Sequence, residues 1–492
     1  FYGIELDDFA HEVAILSLWL AEHQMNIEFK AEFGECEPVL PLKQSGNIYC
    51  GNATRLDWKL ICPNHSTEVY VLGNPPYLGF NAQKESHVSD IKYVFDDRSN
   101  HKYLDYISCW FYKAAVYAED QTNIAFVSTN SICQGTQVPL IWPSIFSRGL
   151  TISFAYEEFY WNNNAKNKAA VICIIVGLTK SKSKNKYIYS QDIKKKASFI
   201  NAYLADGSEV IVEKRQKPLS RISKMSTGNV PYDGGNLIIS PEEKDELIKK
   251  YPESKNFILK NLGSSEFING RQRYCIWIDD DKVAEAMKIP PIKERVEKVK
   301  TSRENGGKIA RNYSHLPHRF YMTNRAVNSQ LIIPRVSSMR RDYIPIGYLS
   351  NDVIISDAAQ AIYDPDQHIF SLLVSKMHMA WVKKFAGRLK SDFRYSAVIC
   401  YNTFPLPEVT EAQKTQLFNS GLEIISAREH YSDLTLAKLY DPESMPQLLK
   451  KAHEFNDSLV ESIYSKEDLI DDHARLKVLL TLYELMTGNK NA

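Results

Sequence analysis

The sequence predicts an α/β fold for its first third, a mixed α+β region after it, and a helical C-terminal region. Strand-like and helix-like segments alternate over residues 1–180, short strands and Gly-rich turns follow up to about residue 408, and helical patterns fill the rest. Alternating β-α-β segments with apolar strands are typical of a parallel sheet with helices on its faces. Because 492 residues exceed one ordinary core, we expect three domains, at 1–180, 181–408 and 409–492.

The alternation in the first third can be followed segment by segment. The strand-like segments are FYGIEL, NIYCGNA, EVYVLGNPPY, NIAFVSTNSI, LTISFAYEEF and AAVICIIVGL, and the helix-like segments are DFAHEVAILSLWLAEHQMN and LDYISCWFYKAAVYAED. Apolar residues recur at helical spacing in the first helix, with Asp7 or Asp8 as its N-cap. In this fold class ligands bind beyond the carboxyl ends of the strands. Functional residues are therefore expected at strand ends.

The rest of the chain changes character twice. The basic segment SKSKNK at residues 181–186 marks the first boundary, and beyond it lie short strands such as LIIPRV, YIPIGYL and DVIISD. After FPLPEV, the segments PQLLKKAHEFNDSLVESIY and DDHARLKVLLTLYELMTG have helical periodicity and predict a small helical bundle or spacer.

Composition restricts the kind of partner. The 60 basic and 59 acidic residues nearly cancel, so contact with nucleic acid has to come from a local basic patch. No apolar run reaches the roughly 18 residues needed to span a bilayer. The eight cysteines form no CxxC pair, which favours reduced thiols in a cytoplasmic protein without a metal site.

Polar residues at three strand ends suit one nucleoside-containing ligand. Glu5 can accept two hydrogen bonds from a ribose diol, although Glu5 or Asp7 as a helix cap is the alternative. Asn52 can pair with an adenine edge, with Asp57 as second choice, and a turn is the alternative for both. The third strand end carries Asn74.

The third strand continues into Asn74-Pro75-Pro76-Tyr77. Two successive prolines fix two φ angles and hold the backbone stiff, although a sharp strand exit alone would account for them. The Asn74 side-chain oxygen and the Pro75 carbonyl can each accept one N–H of an exocyclic amine, while Tyr77 offers a flat face to the base. This arrangement predicts direct transfer of a methyl group from S-adenosylmethionine to a planar amine.

The tetrapeptide resembles motif IV of the amino-methyltransferases, which N6-adenine DNA methyltransferases share with enzymes that methylate glutamine amides or RNA bases. By the same resemblance FYGIELDD is similar to motif II, with Glu5 on the cofactor ribose, and GNATRLDW to the region of motif III. The segment FAYEEFYWNNNAKNKAAVICIIV resembles the region that holds a second stacking aromatic, which implies this role for Trp161 or Phe159. Packing is the alternative for that aromatic cluster.

Blocks along nearly the whole chain, from GIELDDFAHEVAILSLWLAEHQMN to DPESMPQLLKKAHEFND, resemble the single-polypeptide type II restriction-modification enzymes. The resemblance implies a partial Rossmann-like, S-adenosylmethionine-dependent core, a target-recognition domain, C-terminal helices, double-stranded DNA as partner and N6-methylation of a flipped adenine. It also implies that the Gly-rich first motif, a connector and a Mg²⁺-dependent nuclease lie outside this chain, so that the piece alone binds little or no cofactor. A DNA target-recognition module of a phage-defence complex, with an inactive methylase remnant, is the alternative; methylation of RNA or of a protein amide is a third.

Basic residues supply the candidates for DNA contact. Six of them lie between Ser371 and Cys400 against one acid, Asp392, an excess that suits phosphates, although a solvated basic helix is the alternative. Arginines flanking a strand-turn region can read guanine edges, and Asp342, Lys376 and His378 are equally suitable base readers. The predicted DNA-binding set is Arg335, Arg340, Arg341, Lys376, Lys383, Lys384, Arg388, Lys390 and Arg394.

Overall fold

The structure, a computed structural model, describes most of the chain as two compact units, Phe1–Ile211 and Val212–Ala492. The side chains of Tyr160, Trp161, Val171 and Leu389 lie outside this description. The described residues are 1–34, 47–64, 68–96, 101–161, 171–181, 185–190, 193–389 and 392–488.

The described part of the first unit follows the predicted alternation of strands and helices. Its strands are β1 (Tyr2–Glu5), β2 (Asn47–Cys50), β3 (Val69–Gly73), β4 (Thr122–Thr129), β5 (Thr151–Trp161), β6 (Val171–Thr179), β7 (Lys186–Ser190) and β8 (Ile193–Ala197). Its helices are α1 (Asp8–Phe33), α2 (Trp58–Ile61), α3 (Glu85–Phe95), α4 (Ser108–Tyr117) and α5 (Val138–Phe146). All six predicted strands and both predicted helices are present.

The main sheet of this unit has six strands in the order β3-β4-β6-β5-β7-β8. β3 is parallel to β4, and β5 is parallel to β7, but β6 is antiparallel to both β4 and β5. The expectation of a wholly parallel sheet is therefore wrong at β6. Residues 162–170 are too few for the crossover of a dozen or more residues that a parallel neighbour requires. As a result the carboxyl ends of β3, β4 and β5 and the start of β6 share one edge.

The basic segment 181–186 does not end the first unit. β7 and β8 both lie beyond residue 180; β7 pairs with β5, and β8 pairs with β7. The compact unit consequently extends to Ile211.

β1 and β2 pair in parallel as a separate two-stranded sheet, with Glu5 opposite Cys50. α1 follows directly, and Asp7, rather than Asp8, is its N-cap, accepting a 2.9 Å hydrogen bond from the amide of Ala10. No residue of α1 is buried. Within the described residues, the predicted apolar stripe of this helix is therefore covered only in part: Ala10, Ala14 and Leu18 are half-buried, and Val13 is exposed.

The second unit combines small sheets with helices and ends in helices alone, as predicted. Its strands are β9 (Ser226–Thr227), β10 (Ile238–Ile239), β11 (Ile258–Leu262), β12 (Tyr274–Ile276), β13 (Ser329–Pro334), β14 (Val336–Ser337), β15 (Gly347–Ser350), β16 (Val353–Ile355), β17 (Ala359–Tyr363), β18 (Gly387–Leu389) and β19 (Asp392–Arg394). Its helices are α6 (Pro241–Lys250), α7 (Ser264–Asn269), α8 (Val283–Ala286), α9 (Pro290–Glu304), α10 (Lys308–Asn312), α11 (Ile369–Leu373), α12 (Lys376–Phe385), α13 (Glu411–Glu429), α14 (Leu436–Leu439), α15 (Gln447–Tyr464) and α16 (Asp472–Thr487).

Three small sheets organise the mixed part of the second unit. Their strand orders are β10-β12-β11-β16, β15-β13-β17-β9 and β14-β19-β18. α9 packs its buried Ile292, Val296 and Val299 into the apolar core beside β10 and β12. The sheet of β14, β19 and β18 places Arg394 opposite Val336 and Gly387.

Arg303, at the end of α9, is only 1% exposed and binds backbone alone. All five N–H groups of its guanidinium have carbonyl partners, at 2.6–3.1 Å. The acceptors are the carbonyl oxygens of Pro231, Tyr232, Tyr313, Leu316 and Arg319. Since guanidinium carries five donors in a fixed fork, this one side chain fixes two separate backbone segments, 231–232 and 313–319, to each other.

We expect Arg303→Lys to destabilise the second unit strongly. The ammonium group has three donors, so at least two buried carbonyls lose a partner, at a cost of about 2–5 kcal/mol in the free energy of unfolding. Urea denaturation measures this loss. Arg311→Lys, on exposed α10, is the matched control and should unfold like the wild type. Equal midpoints for Arg303→Lys and the wild type would contradict the structural role of Arg303.

Candidate active site and DNA interface

The Asn74-Pro75-Pro76-Tyr77 segment leaves the carboxyl end of β3 at the shared edge of the sheet. Asn74 and Pro76 are exposed, Pro75 is buried and Tyr77 is half-buried. The Asn74 carboxamide forms no hydrogen bond with any residue that the structure describes. Its oxygen is therefore available to an incoming donor, while the backbone beside it is packed into the fold.

Asp105 fixes the residue that follows this segment. One carboxylate oxygen of Asp105 accepts hydrogen bonds from the amides of Leu78 at 2.8 Å and Ile107 at 3.3 Å, and Ser131 donates to the other at 3.3 Å. Gln83 donates to the Leu78 carbonyl at 2.9 Å. Because Pro75 and Pro76 have no N–H, Leu78 is where the loop is anchored, at both its N–H and its C=O.

Asp105 is 6% exposed, and burial raises the pKa of its carboxyl group against the opposing effect of the hydrogen bonds it accepts. No motif in the sequence points to this residue. Its only signal is an acid near the start of the helical segment LDYISCWFYKAAVYAED, where an acid more commonly caps a helix.

Tyr77 interacts with the thiol of Cys173 on β6, which is two strands away from β3 in the sheet. Burial raises the pKa of the Tyr77 hydroxyl, and its interaction with the Cys173 thiol raises that pKa further. Cys173 lies on β6, opposite Phe159 of β5 and Thr129 of β4. The fold therefore places Phe159 opposite the residue whose thiol interacts with Tyr77, although 82 residues separate Phe159 and Tyr77 in the sequence.

Trp161, the other proposed stacking residue, ends β5, where its backbone pairs with Val171. Its side chain lies outside the described residues. Of the two aromatic candidates, Phe159 is the one whose half-buried side chain the structure describes.

Glu5 ends β1 with one carboxylate oxygen bound to its own turn. That oxygen accepts hydrogen bonds from the amides of Leu6 at 2.8 Å and Asp7 at 3.3 Å. The carbonyl of Glu5 accepts from the amide of Gly51 at 2.7 Å. The ends of β1 and β2 thus place Glu5 beside the Gly51-Asn52 turn. Among the residues that the structure describes, the second carboxylate oxygen of Glu5 has no such backbone bond.

Asn52 belongs to an internal network centred on Asp90. It donates to Asp90 at 3.0 Å and accepts from the amide and hydroxyl of Thr54 at 2.9 and 2.7 Å. Asp90 also accepts from Arg55 and Tyr106, each at 2.7 Å. Burial opposes ionisation, but these hydrogen bonds outweigh it and lower the pKa of Asp90. The Asn52 carboxamide is thus engaged in its turn, and pairing with an adenine edge stays a prediction.

Asp57, the second choice, is the N-cap of α2 and accepts a 2.9 Å hydrogen bond from the amide of Lys59. Its position matches the turn and cap alternative. A cofactor role for Asp57 likewise stays a prediction.

Three family models match successive parts of this chain. They are the DNA-methyltransferase domain of MmeI over residues 1–190, its target recognition domain over 206–408 and its C-terminal domain over 409–489. The chain belongs to the MmeI family. The three matches follow the order of the domains expected from the sequence.

Two relatives cover nearly all of this MmeI-family chain. DNA methyltransferase A of Bacillus subtilis (strain 168) is 47% identical over 492 residues, which are 99% of this chain and 56% of that protein. The structure of the type IIL restriction-modification enzyme MmeI in complex with DNA aligns with a TM-score of 0.84 at 37% identity, over 99% of this chain and 66% of that one. The chain therefore spans little more than half the length of the first relative and about two thirds of the second.

In the MmeI-like recognition and C-terminal domains, three of the predicted DNA-binding residues pair instead with acids of the C-terminal helices and the turns between them. Lys383 contacts Asp472 at 2.7 Å. The other pairs are Arg340 with Glu443 at 2.6 Å and Asp441 at 3.8 Å, and Lys376 with Asp457 at 3.8 Å. These cations hold the C-terminal helices onto the mixed part of the unit, which the sequence did not indicate because 81 or more residues separate the Lys376 and Lys383 pairs.

Two more arginines of the predicted set are engaged locally. Arg335 donates to the Asp357 carbonyl at 2.8 Å. Arg341 is half-buried; burial lowers the pKa of its guanidinium, with Asp392 and Asp441 acting in the opposite direction. Arg335 therefore has a backbone acceptor, and Arg341 has two acids near it.

The remaining members of the set differ in exposure. Arg388 lies 4.1 Å over the ring of Phe393, and Lys384 is half-buried. Arg394 is exposed on β19 and has no ion-pair partner in the part of the chain that the structure describes. Lys390 lies outside the described residues.

Of the two further candidate base readers, Asp342 is exposed and His378 is fully buried. His378 lies 3.0 Å from the Tyr395 hydroxyl, and burial lowers the pKa of its imidazole to about 3. A buried neutral imidazole has no access to a base edge, so the structure does not support His378 as a reader.

Two negative findings apply to the described ranges only. In these ranges no group of three or more His, Cys, Asp or Glu side chains is placed to hold a metal ion. No helix there is long and apolar enough to cross a bilayer.

We expect Asp105→Ala to release the loop at Leu78. The Leu78 amide loses its acceptor, so its hydrogen–deuterium exchange should accelerate, with a loss of about 1–3 kcal/mol in local stability. Asp105→Asn retains an acceptor oxygen and should exchange more slowly than the alanine variant. Asp120→Ala, which removes an exposed acid of the same unit, is the control. Unchanged exchange in the peptide containing Leu78 would show that Asp105 does not anchor the loop.

The hydrogen bonds of buried Asp457 predict that the stability of the second unit depends on pH. Asp457 accepts from the Tyr343 hydroxyl at 2.6 Å and from the Lys376 amide at 2.7 Å, and burial raises its pKa to about 6. The folded pKa exceeds the unfolded value of about 3.9, so the folded state binds the extra proton. The resulting stabilisation is present at low pH and is lost as the pH rises through about 6.

Between about pH 4 and about pH 7, the wild type should therefore lose about 1–3 kcal/mol more unfolding free energy than Asp457→Asn, which cannot titrate. Urea denaturation of both proteins at each pH measures the difference. A difference between the two proteins that does not change with pH would contradict the raised pKa of Asp457.

Proposed function

We propose that this chain carries the methyl-transfer and target-recognition parts of a site-specific DNA N6-adenine methyltransferase of a restriction-modification system. The observation that carries the proposal is an exposed Asn74 carboxamide on a loop whose exit at Leu78 is fixed by buried Asp105, with half-buried Tyr77 between them. MmeI-family membership supplies the class of reaction.

The chain's own residues orient the amine and stabilise the charge that forms on it. The Asn74 side-chain oxygen and the Pro75 carbonyl each accept one N–H of the target amine, which directs its lone pair and stabilises the developing positive charge. Tyr77 stacks on the extruded base from one side, and Phe159 or Trp161 is the second aromatic. Because Pro75 is buried and Leu78 is bound, these acceptors need little reorganisation.

The proposed cofactor is S-adenosylmethionine, which supplies the methyl group when bound. Glu5 suits its ribose, because the turn after β1 orients the carboxylate through one oxygen and leaves the second for a hydroxyl. Asn52 fits less well, since Asp90 and Thr54 already use its carboxamide. Mg²⁺ is proposed only for a nuclease outside this chain.

The proposed partner is double-stranded DNA. MmeI has been solved in complex with DNA. Exposed Arg394 is the member of the predicted set best placed to contact a base or phosphate, whereas half-buried Arg335 already donates to the Asp357 carbonyl. Arg340, Lys376 and Lys383 are weaker candidates because acids already neutralise them. Such an enzyme acts on the chromosome and on invading DNA, so the proposed location is the cytoplasm.

A DNA target-recognition module with an inactive methylase remnant is the alternative. An exposed Asn74 and an anchored Tyr77 favour the active enzyme, because an inactive remnant has no need to keep both.

The test uses the full-length natural protein expressed with a plasmid that is then sequenced for N6-methyladenine. We expect modification at one sequence by the wild type and a loss of at least about a hundredfold for Asn74→Ala, because the variant removes one of two acceptors of the amine. Asn81→Ala, an exposed asparagine of the same loop, is the matched control and should retain modification. Wild-type levels in Asn74→Ala would remove Asn74 from the mechanism, whereas DNA binding without modification by the wild type would favour the recognition module.

A further inference from the structure

A turn in the second unit presents a tyrosine in a conformation that tyrosine rarely adopts. Tyr232 has φ +43° and is 43% exposed. Gly234 and Gly235 follow with φ +61° and +82°, and buried Asp233 accepts the amides of Gly235 at 2.9 Å and Leu237 at 2.6 Å. A bulky residue with positive φ is strained and is retained only where its surroundings determine it.

Arg303 holds the backbone of Tyr232 in this conformation. The guanidinium donates to the carbonyls of Pro231 and Tyr232 on one side and to those of Tyr313, Leu316 and Arg319 on the other. The segment around Tyr232 and the segment after α10 are thereby fixed to each other. The side chains that these segments display are consequently held in one arrangement.

These segments display aromatic rings in contact with one another. Tyr232 and Tyr321 have ring centroids 5.2 Å apart, and Tyr313 meets Tyr321 edge-on at 4.7 Å. We call Tyr232, Tyr313 and Tyr321 the tyrosine platform. Tyr232 is its most accessible ring, while the other two are half-buried.

Positive charge lies directly beside the platform. α10 immediately precedes Tyr313, has no buried residue, and carries exposed Lys308 and Arg311. Neither cation has an ion-pair partner in the described ranges of the chain, in contrast to Arg319, which pairs with Asp280 at 2.8 Å. Interleaved cations and exposed rings are the combination that contacts phosphates and the flat faces of nucleotides.

We propose that the tyrosine platform with Lys308 and Arg311 is a DNA-contacting surface, in which the two cations pair with phosphates and the ring of Tyr232 packs against the adjoining nucleotide. This surface is separate from the basic segment at residues 371–400. It contributes affinity rather than base identity, because phosphate contacts carry no direct sequence information. The proposal takes only the identity of the partner, DNA, from the proposed function.

The charge part of the proposal is tested by salt dependence. The full-length protein is titrated into a fluorescein-labelled duplex of mixed sequence at several KCl concentrations, with anisotropy as the readout. For Lys308→Gln combined with Arg311→Gln, the slope of log Kd against log salt should fall by about one unit for each phosphate that the variant no longer neutralises. Lys249→Gln combined with Lys466→Gln, exposed cations elsewhere in the same unit, should keep the wild-type slope. Equal slopes for the wild type and the Lys308 and Arg311 variant would overturn the proposal.

The aromatic part is tested at Tyr232 without risk to the fold. Glycine suits φ +43°, so Tyr232→Gly should unfold at a temperature no lower than the wild type while it binds the duplex about tenfold more weakly. Tyr232→Phe keeps the ring and should bind within about twofold of the wild type. Wild-type affinity in Tyr232→Gly would contradict the proposed packing of the Tyr232 ring against a nucleotide. Since these assays measure binding alone, their failure is distinguishable from a failure of Asn74→Ala to abolish methylation.

Discussion

The hydrogen bond from the Leu78 amide to Asp105 is the constraint on which the candidate active site depends. Pro75 and Pro76 have no N–H, so the segment after β3 has no backbone donor at these two positions. Asp105 supplies the missing anchor from the start of α4, 27 residues away. The prolines limit φ, Asp105 fixes the exit, and half-buried Tyr77 interacts with Cys173. Asn74 then remains exposed on a backbone that has little freedom to move.

In the second unit, the function of each cation depends on what surrounds it. Arg303 is buried among carbonyls and acts as a structural crosslink. Lys383 meets Asp472 of α16 and joins two regions of the unit. Arg394 and Arg311 are exposed and keep their charge available. A phosphate competes poorly for a cation that already has a carboxylate partner, so a count of basic residues along the sequence overestimates the DNA-binding surface.

Local patterns could predict much of the fold and one part of the site. Alternating apolar segments predicted β1 to β6. The Asn74-Pro75-Pro76-Tyr77 segment was recognisable because the groups proposed to bind the amine lie in four consecutive residues. Asp105 and Cys173 could not be found in this way, since their partners are 27 and 96 residues distant. The antiparallel direction of β6 and the Lys383–Asp472 pair also depend on tertiary arrangement, to which periodicity is insensitive.

Buried carboxylates act in this chain in two physically different ways. Asp90 of α3 has Arg55 within 2.7 Å, and its hydrogen bonds lower its pKa despite burial, so it stays ionised and holds the turn at Asn52. Asp105 is bound by neutral donors, and Asp457 has a cation no closer than 3.8 Å, so burial raises the pKa of both. Each of these two acids accepts a backbone amide, that of Leu78 or that of Lys376. Because an ionised acceptor binds an amide more strongly than a protonated one, both attachments strengthen as the acid ionises, while the cost of burying the charge opposes them. The order of the loop after β3 is therefore coupled to the ionisation of Asp105, a residue outside the proposed pair of amine acceptors.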